Sequence, residues 1–230
     1  MQIERATLDT CHTADGVVVA IDVIRAFTTA AFAFAAGAQD IFPVGTIEEA
    51  FALRDRFPGT LMMGEVRGHR PDRFDFGNTP SVLAQSNLQG RQMIQRTGAG
   101  TQGLVRSANA DILLAASFVC ANATVRYIQH LSPTKVTLVA TGFAPEGAED
   151  DACADYLAAR LRGEQPDAEP FLERVRNSYA GQRLSDPNDL SFPAADLDCC
   201  VDLDRFDFAM PVERKDRLLI MRPISISSQG

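Results

Sequence analysis

Asp22, Arg25, Thr28 and Thr29 lie close together in the stretch VVVAIDVIRAFTT, residues 17–29. A carboxylate in such a place suits a divalent cation, and a guanidinium with two hydroxyls suits an anion. The flanking residues say how these groups would be held. Val17 to Ile21 is a run of β-branched and apolar residues, expected as a fully buried strand. AFTTAAFAFAAGA has the alanine-rich character of a helix, closed by Gly37. In an open α/β sheet, ligands bind where strand ends and helix N-termini converge. Taken singly, Asp22 would cap the helix and Arg25 would point into solvent. Together, so many polar groups at the end of a buried strand point to a ligand.

Four further groups fall at strand ends or just after them. Gly64-Glu65 follows the apolar TLMM, so Glu65 stands on its strand where Asp22 stands on its own. FDFGNTP, residues 74–80, is a rigid turn in which Asn78 and Thr79 suit either a ligand or their own backbone. Arg96-Thr97-Gly98-Ala99-Gly100-Thr101 allows close backbone approach to an anion ahead of a helix. With Gly103 it also matches GxGxxG after a strand, yet DILLAASF lacks the acid a dinucleotide site needs on the next strand. Finally, Thr141-Gly142-Phe143 ends a strong strand, and Pro145 to Asp151 is acidic. Acids in a first helical turn complement the helix dipole, which alone accounts for Glu149, Asp150 and Asp151.

Mg2+ takes oxygen ligands, often only a few carboxylates, and leaves waters and substrate phosphate to complete its shell. Asp22 and Glu65, with Glu149 or Asp150, would suffice, and Arg25 with the hydroxyl-rich and glycine-rich loops would bind the anion. An acid-held metal beside an anion pocket is the arrangement phosphoryl transfer requires. Two familiar phosphatase signatures are absent: Ile24 occupies the second acidic position of a DxD motif after Asp22, and no GxxxxGK[ST] occurs.

The rest of the chain reads as a regular α/β alternation. Strands are expected at 17–21, 39–44, 60–64, 91–95, 111–116 and 135–141, with helices at 26–36, 47–57, 101–109, 119–131 and 149–162. Thr46-Ile47-Glu48-Glu49 is a capping box. Such alternation implies a largely parallel or mixed sheet with helices on its faces. After residue 163 the texture changes: a helix near 167–177, the stretch SDPNDLSFP, a short helix, FDFAMPVE and the apolar LLIM. The late runs are expected as strands that join the sheet or cover an edge. One domain over 1–230, or two closely packed halves at 1–163 and 164–230, both fit this length.

Hydrophobic residues make up 46% of the 230, enough for a core without staples. A net charge of −8 with no offsetting basic cluster argues against nucleic acid as a partner. The apolar run at 17–38 is interrupted by Asp22 and Arg25, which argues against a membrane span. MQIERATLDT has neither a basic n-region nor an apolar h-region, so a cytoplasmic location is expected. Five cysteines without CxxC spacing suit reduced, mostly buried thiols, with Cys199-Cys200 the one pair close enough to be redox-active.

These residues resemble the 2-phosphosulfolactate phosphatases. The likeness lies in D-V-[IL]-R-A-x-T-T (Asp22 to Thr29), GA-x-x-I-x-P-V at 37–44, Gly64-Glu65 and F-D-x-G-N-[ST]-P (Phe74 to Pro80). It continues through the loop at 97–101, A-S-F-x-x-A-x-A around 116–123 and the pair Glu149-Asp150, in the family's order over about residues 15–160. The resemblance implies a three-layer α/β/α fold, a homodimer, and Mg2+-dependent hydrolysis of (2R)-phospho-3-sulfolactate to sulfolactate and phosphate, in methanogens a step of coenzyme M synthesis. It puts metal on Asp22, Glu65, Glu149 and Asp150. Asp22, Arg25 and Glu65 are expected as the catalytic residues, with the small phosphorylated organic acid on Thr28, Thr29, Arg67, Asn78, Thr97, Gly98, Gly100 and Thr101. Where the family usually reads T-T-T-N-G-T, this chain has Arg96 to Thr101; where the family has G-E-R-G-G, it has Gly64-Glu65-Val66-Arg67-Gly68. Both changes touch anion recognition more than metal binding. Two other classes stay open: an oxidoreductase using Gly98–Gly103 for a dinucleotide, and a non-catalytic anion-binding protein of the same fold.

Overall fold

Alternate residues of the Val17–Ile21 run go to opposite sides of one sheet. In the computed structural model, which describes residues 1–142, 147–184 and 191–225, this run is strand β2, Gly16–Ile21. Val18 and Ala20 pack into one core with the helix α1 (Ala26–Ala35), while Val17, Val19 and Ile21 pack into a second. Burial on both faces is why the run is continuously apolar. The second core is covered by helices α5 (Ala121–Leu131), α6 (Ala148–Leu161) and α7 (Glu169–Asn177). Helix α1 is buried along nearly its whole length, and its alanines let it lie close against its neighbours.

The sheet has nine strands among the described residues. β2 pairs in parallel with β6 (Ala110–Ala116) and β7 (Lys135–Ala140), and β7 pairs with β1 (Gln2–Thr7). A second parallel set joins β3 (Asp40–Val44), β5 (Gln92–Arg96) and β4 (Leu61–Gly64). Between the sets lies an antiparallel hairpin of β8 (Met210–Lys215) and β9 (Leu218–Met221). Three successive antiparallel pairings separate β6 from β3, so the two parallel sets run in opposite senses. The architecture is a three-layer α/β/α sandwich around a mixed sheet, as expected. A third core packs helix α2 (Ile47–Arg56) against β3, β4 and β5.

Several details differ from the reading of the sequence. Strand β1 was not expected; its polar alternation, QIERAT, is that of a sheet edge. The late runs do not cover an edge: they fill the middle of the sheet, where Met210, Val212 and Met221 are buried. The helix expected at 101–109 is α4, Gly100–Arg106, and it stops where the Ser107 hydroxyl bonds back to the Gly103 carbonyl at 2.7 Å. The capping box forms as read, Glu49 N donating to Thr46 Oγ1 at 3.1 Å and Thr46 N to Glu49 Oε2 at 3.0 Å. Phe143, Pro145 and Glu146, and residues 185–190 of the Ser/Asp/Pro/Asn-rich stretch, lie outside the described residues. Of the five cysteines, four are buried and none forms a disulfide. Burial pushes the Cys199 thiol up to about 11, which disfavours the thiolate a redox pair needs. No helix among the described residues is long and apolar enough to cross a membrane.

Candidate active site

The carboxyl ends of β2, β4 and β5 meet at the start of α1, although β2 belongs to the opposing set. Gln95, on β5, donates to the Ala26 carbonyl at 2.7 Å and fixes this meeting. Asp22 and Glu65 therefore line one cavity, although their strands belong to the two opposed sets and not to one parallel sheet.

The glycine-rich loop after β5 is what seats them. The Gly98 amide donates to Glu65 Oε1, and the Gly68 amide donates to Glu65 Oε2 at 2.6 Å. The amide of Ala26 donates to Asp22 Oδ1 at 2.8 Å, which caps the helix as the simplest reading expected. A Cβ on Gly100 would fall 2.7 Å from Asp22 Oδ2 and 2.7 Å from Ala26 Cβ, so glycine is required there for the approach itself. The loop thus holds the chain's own carboxylates. Burial, and next the neighbouring Glu65 charge, push Asp22 up to about 6.

Helix α6 brings two more acids. Glu149 is pushed up to about 7, first by burial and also by Asp22, and its Oε2 is buried without a partner. Asp150 is raised by burial, by Asp22 and by Glu149. Its Oδ1 accepts from Val23 N at 2.8 Å and its Oδ2 from Gly142 N at 2.8 Å, so it clasps the turn after β2 to the loop after β7.

A cavity of about 200 Å3 opens on this cluster, lined by Asp22, Arg25, Glu65, Asn78, Arg183 and Phe192 among others. Asn78 is buried and its Oδ1 has no partner. Arg25 does not point into solvent. Its Nη1 lies 2.6 Å from Asp196 Oδ2 and 3.0 Å from the Ser191 carbonyl, and its guanidinium sits 4.6 Å from the Phe192 ring centroid. Asp196, on helix α9 (Ala195–Cys200), also accepts from Ser81 N at 3.0 Å and Ser81 Oγ at 2.5 Å.

Other expected site residues stand apart from the cavity. Thr28 is buried in α1 and its hydroxyl donates to the Val23 carbonyl at 2.8 Å, while the Thr29 hydroxyl is buried without a partner. Thr97 and Thr101 bond to each other's backbone and close the loop, Thr97 N to Thr101 Oγ1 at 2.9 Å and Thr101 N to Thr97 Oγ1 at 3.0 Å. Arg67 is exposed on a left-handed turn (φ 53°). Arg96 is turned to the backbone, Nη1 donating to the Glu65 carbonyl at 2.9 Å. Sequence reasoning missed Asp196, Phe192 and Arg183, which lie after residue 163, beyond the matching motifs. Two acids, Asp196 and Asp198, among the apolar residues of the short helix ADLDCC were the one signal available.

Among the described residues, no three His, Cys, Asp or Glu side chains form a ready-made metal cage. The residues still fit a hard cation that takes few protein ligands. Two carboxylates, Asp22 and Glu65, face one cavity, Glu149 has an unpartnered oxygen, and burial first and then the neighbouring acids push the Asp22 and Glu149 carboxyls up.

A fold and site of this kind define a class of α/β protein with a small acidic pocket at converging strand ends. The family model described as 2-phosphosulpholactate phosphatase matches residues 3–215. Similar proteins include the probable 2-phosphosulfolactate phosphatase of Bacillus subtilis (strain 168), 32% identical with 85% of this chain and 86% of the relative covered. Those of Carboxydothermus hydrogenoformans and Thermotoga petrophila are 35% and 36% identical, with 84% and 73% of both chains covered. The chain belongs to the 2-phosphosulpholactate phosphatase family.

Proposed function

We propose that this chain is a Mg2+-dependent phosphomonoester hydrolase of small organic acids, with (2R)-phospho-3-sulfolactate as its substrate by kinship. The hydrolase class follows from family membership. The observation that carries the mechanism is the pair Asp22 and Glu65, two buried carboxylates that line one cavity, Asp22 held by the Ala26 amide and Glu65 by the Gly68 and Gly98 amides. Within Gly98–Gly103 the Gly98 amide is taken by Glu65, the Thr101 amide by the Thr97 hydroxyl and the Gly103 amide by the Ala99 carbonyl, which removes donors a dinucleotide phosphate would use and disfavours the oxidoreductase reading.

Asp22 and Glu65 would hold the metal, with Glu149 reaching it through water. Bound there, Mg2+ neutralises phosphate charge and polarises the phosphoryl oxygens. The chain's own residues do the rest. Asn78 offers an amide to the ester and Arg25, fixed by Asp196, offers a guanidinium edge to charge developing on the phosphoryl. Phe192 and Ile24 keep water from the walls. A cavity of about 200 Å3 restricts the substrate to a few carbons, below the size of ordinary drug-sized ligand sites.

The test is phosphate release from a panel of phosphomonoesters, with Mg2+ and with EDTA. EDTA-sensitive release supports the reading. Binding of phosphate or sulfonates with no release from any ester favours the non-catalytic alternative.

A further inference from the structure

A second cavity, of about 560 Å3, shares no residue with the acidic one, part of whose wall is helix α8 (Tyr179–Leu184). It lies between helix α2 and the turn of the β8–β9 hairpin. Its floor is apolar: Phe42 comes from β3, Leu53 from α2, and Leu218 and Leu219 from β9. Val105 of α4, 39% exposed, stands on one side. A volume of this size is that of a small-molecule site.

The rim is cationic. Arg56, Lys215 and Arg217 line it, all are exposed, and none forms an ion pair among the described residues. Arg214 stands beside them but gives its guanidinium to backbone, Nη1 donating to the Ala110 carbonyl at 3.2 Å and Nη2 to the Ser107 carbonyl. Two acids also line the cavity. Glu49 Oε2 is taken up by the Gly45 and Thr46 amides, at 2.8 and 3.0 Å, and Asp216 pairs with no cation among the described residues. In a chain of net charge −8, a positive rim over an apolar floor departs from the general surface. The turn adds to this. Lys215 pairs with Leu218, so Asp216 and Arg217 make the turn, with φ of 51° and 65°. Asn-Gly suits such a turn best, so Arg217 keeps a long cation at the cavity where glycine would fold more readily.

We propose that this cavity is a second ligand site and that it takes an amphiphilic organic anion. The apolar body of the ligand lies on the floor, and its carboxylate, sulfonate or phosphate head meets Arg56, Lys215 and Arg217. Burial of the body supplies most of the affinity. The exposed cations select the sign of the head group, an effect that salt screens.

The test is a fluorescence titration of the full chain with 8-anilinonaphthalene-1-sulfonate and with N-phenyl-1-naphthylamine, the same ring system without the sulfonate. The triple variant Arg56→Gln, Lys215→Gln, Arg217→Gln should bind the sulfonate about tenfold more weakly than wild type, and the uncharged amine equally well. Added KCl should shrink that difference. Decanoate should displace the sulfonate from wild type, and decylammonium should not. Val105→Glu puts a negative charge on the wall at an exposed position and should also weaken the sulfonate, so the test does not depend on the triple variant folding. Equal sulfonate affinity in wild type and variants, or an equal loss of both probes in the triple variant, overturns the inference. Failure of wild type to bind the sulfonate overturns it too, and a dimer that sediments in wild type but not in the triple variant then assigns the face to a second copy of the chain.

Discussion

Asp196 meets Arg25 in a 2.6 Å ion pair, and both side chains are almost wholly removed from solvent, 0% and 3% exposed. The pair joins helix α9 to the start of α1 across 171 positions of sequence. Its second oxygen, on Ser81, ties in the four-residue helix α3 (Pro80–Leu83).

Removing one member should cost more than removing both. Asp196→Ala leaves Arg25 buried and uncompensated, and is expected to lower stability by about 3–5 kcal/mol. The double variant Arg25→Met, Asp196→Leu should recover much of that loss. Urea unfolding of the two single variants and the double variant gives the coupling, and additive effects would show that the pair is not a unit.

Gly100→Ala tests the seating of Asp22. The added methyl meets both Ala26 and Asp22, so a shift of the carboxylate is unavoidable. A stability loss of about 1–3 kcal/mol is expected from overpacking. Phosphate release should fall by on the order of 100-fold, because a displacement of about 1 Å is enough. A folded variant with wild-type turnover would remove Asp22 from the chemistry.

Asp150 and Asp22 should separate in their effects. Asp150→Ala strands the amides of Val23 and Gly142, and should cost about 2–5 kcal/mol. Asp22→Asn keeps an oxygen for the Ala26 amide and should abolish turnover with little loss of stability. Thermal melts beside turnover assays read both. A stable but inactive Asp150→Asn would place that residue with the metal instead of with the clasp.

The acids also set a pH dependence in the metal-free protein. Asp22 titrates near 6 in the fold against an ordinary 3.8, and Glu149 near 7 against 4.5. The folded state then holds more protons than the unfolded state between about pH 4 and 7, so stability is full below that window and falls as pH rises through it. For Asp22 alone the fall is on the order of 3 kcal/mol, about 6–12 °C in melting temperature for a chain this size. Melts in EDTA from pH 5 to 8 should show the decline. Asp22→Asn should flatten it, and millimolar Mg2+ should shrink it. A wild-type slope in Asp22→Asn would refute the assignment.

Strands β2, β4, β6 and β7 were legible as apolar runs between turn residues while the polar β1 was not, and Asp22 and Glu65 stood out as acids that follow such runs. The hairpin's position was not legible. MPVERK is half polar and LLIM is only four residues long, so both look like edge strands, yet they form the antiparallel pair between the two opposed sets. The glycine loop was read as a cradle for a foreign anion, and it cradles internal carboxylates instead. Spacing alone does not distinguish the two, since an amide serves either oxygen equally. Arg25 lines the same cavity as Asp22 and Glu65, but its partner Asp196 lies in a segment without a motif, so its burial was invisible in the sequence.

The central hairpin has a consequence for how the chain comes to be folded. β8 and β9 follow every other strand in chain order, yet they alone join β6 to β3. During synthesis the two parallel sets emerge first, each with an unpaired edge that stays open until residues 210–221 have left the ribosome. Helix α1 is shared between the sets, but the sheet is closed last at its middle. Chains that stall before residue 210 should therefore be the species that aggregate, and chaperones that shield strand edges should matter most in that interval.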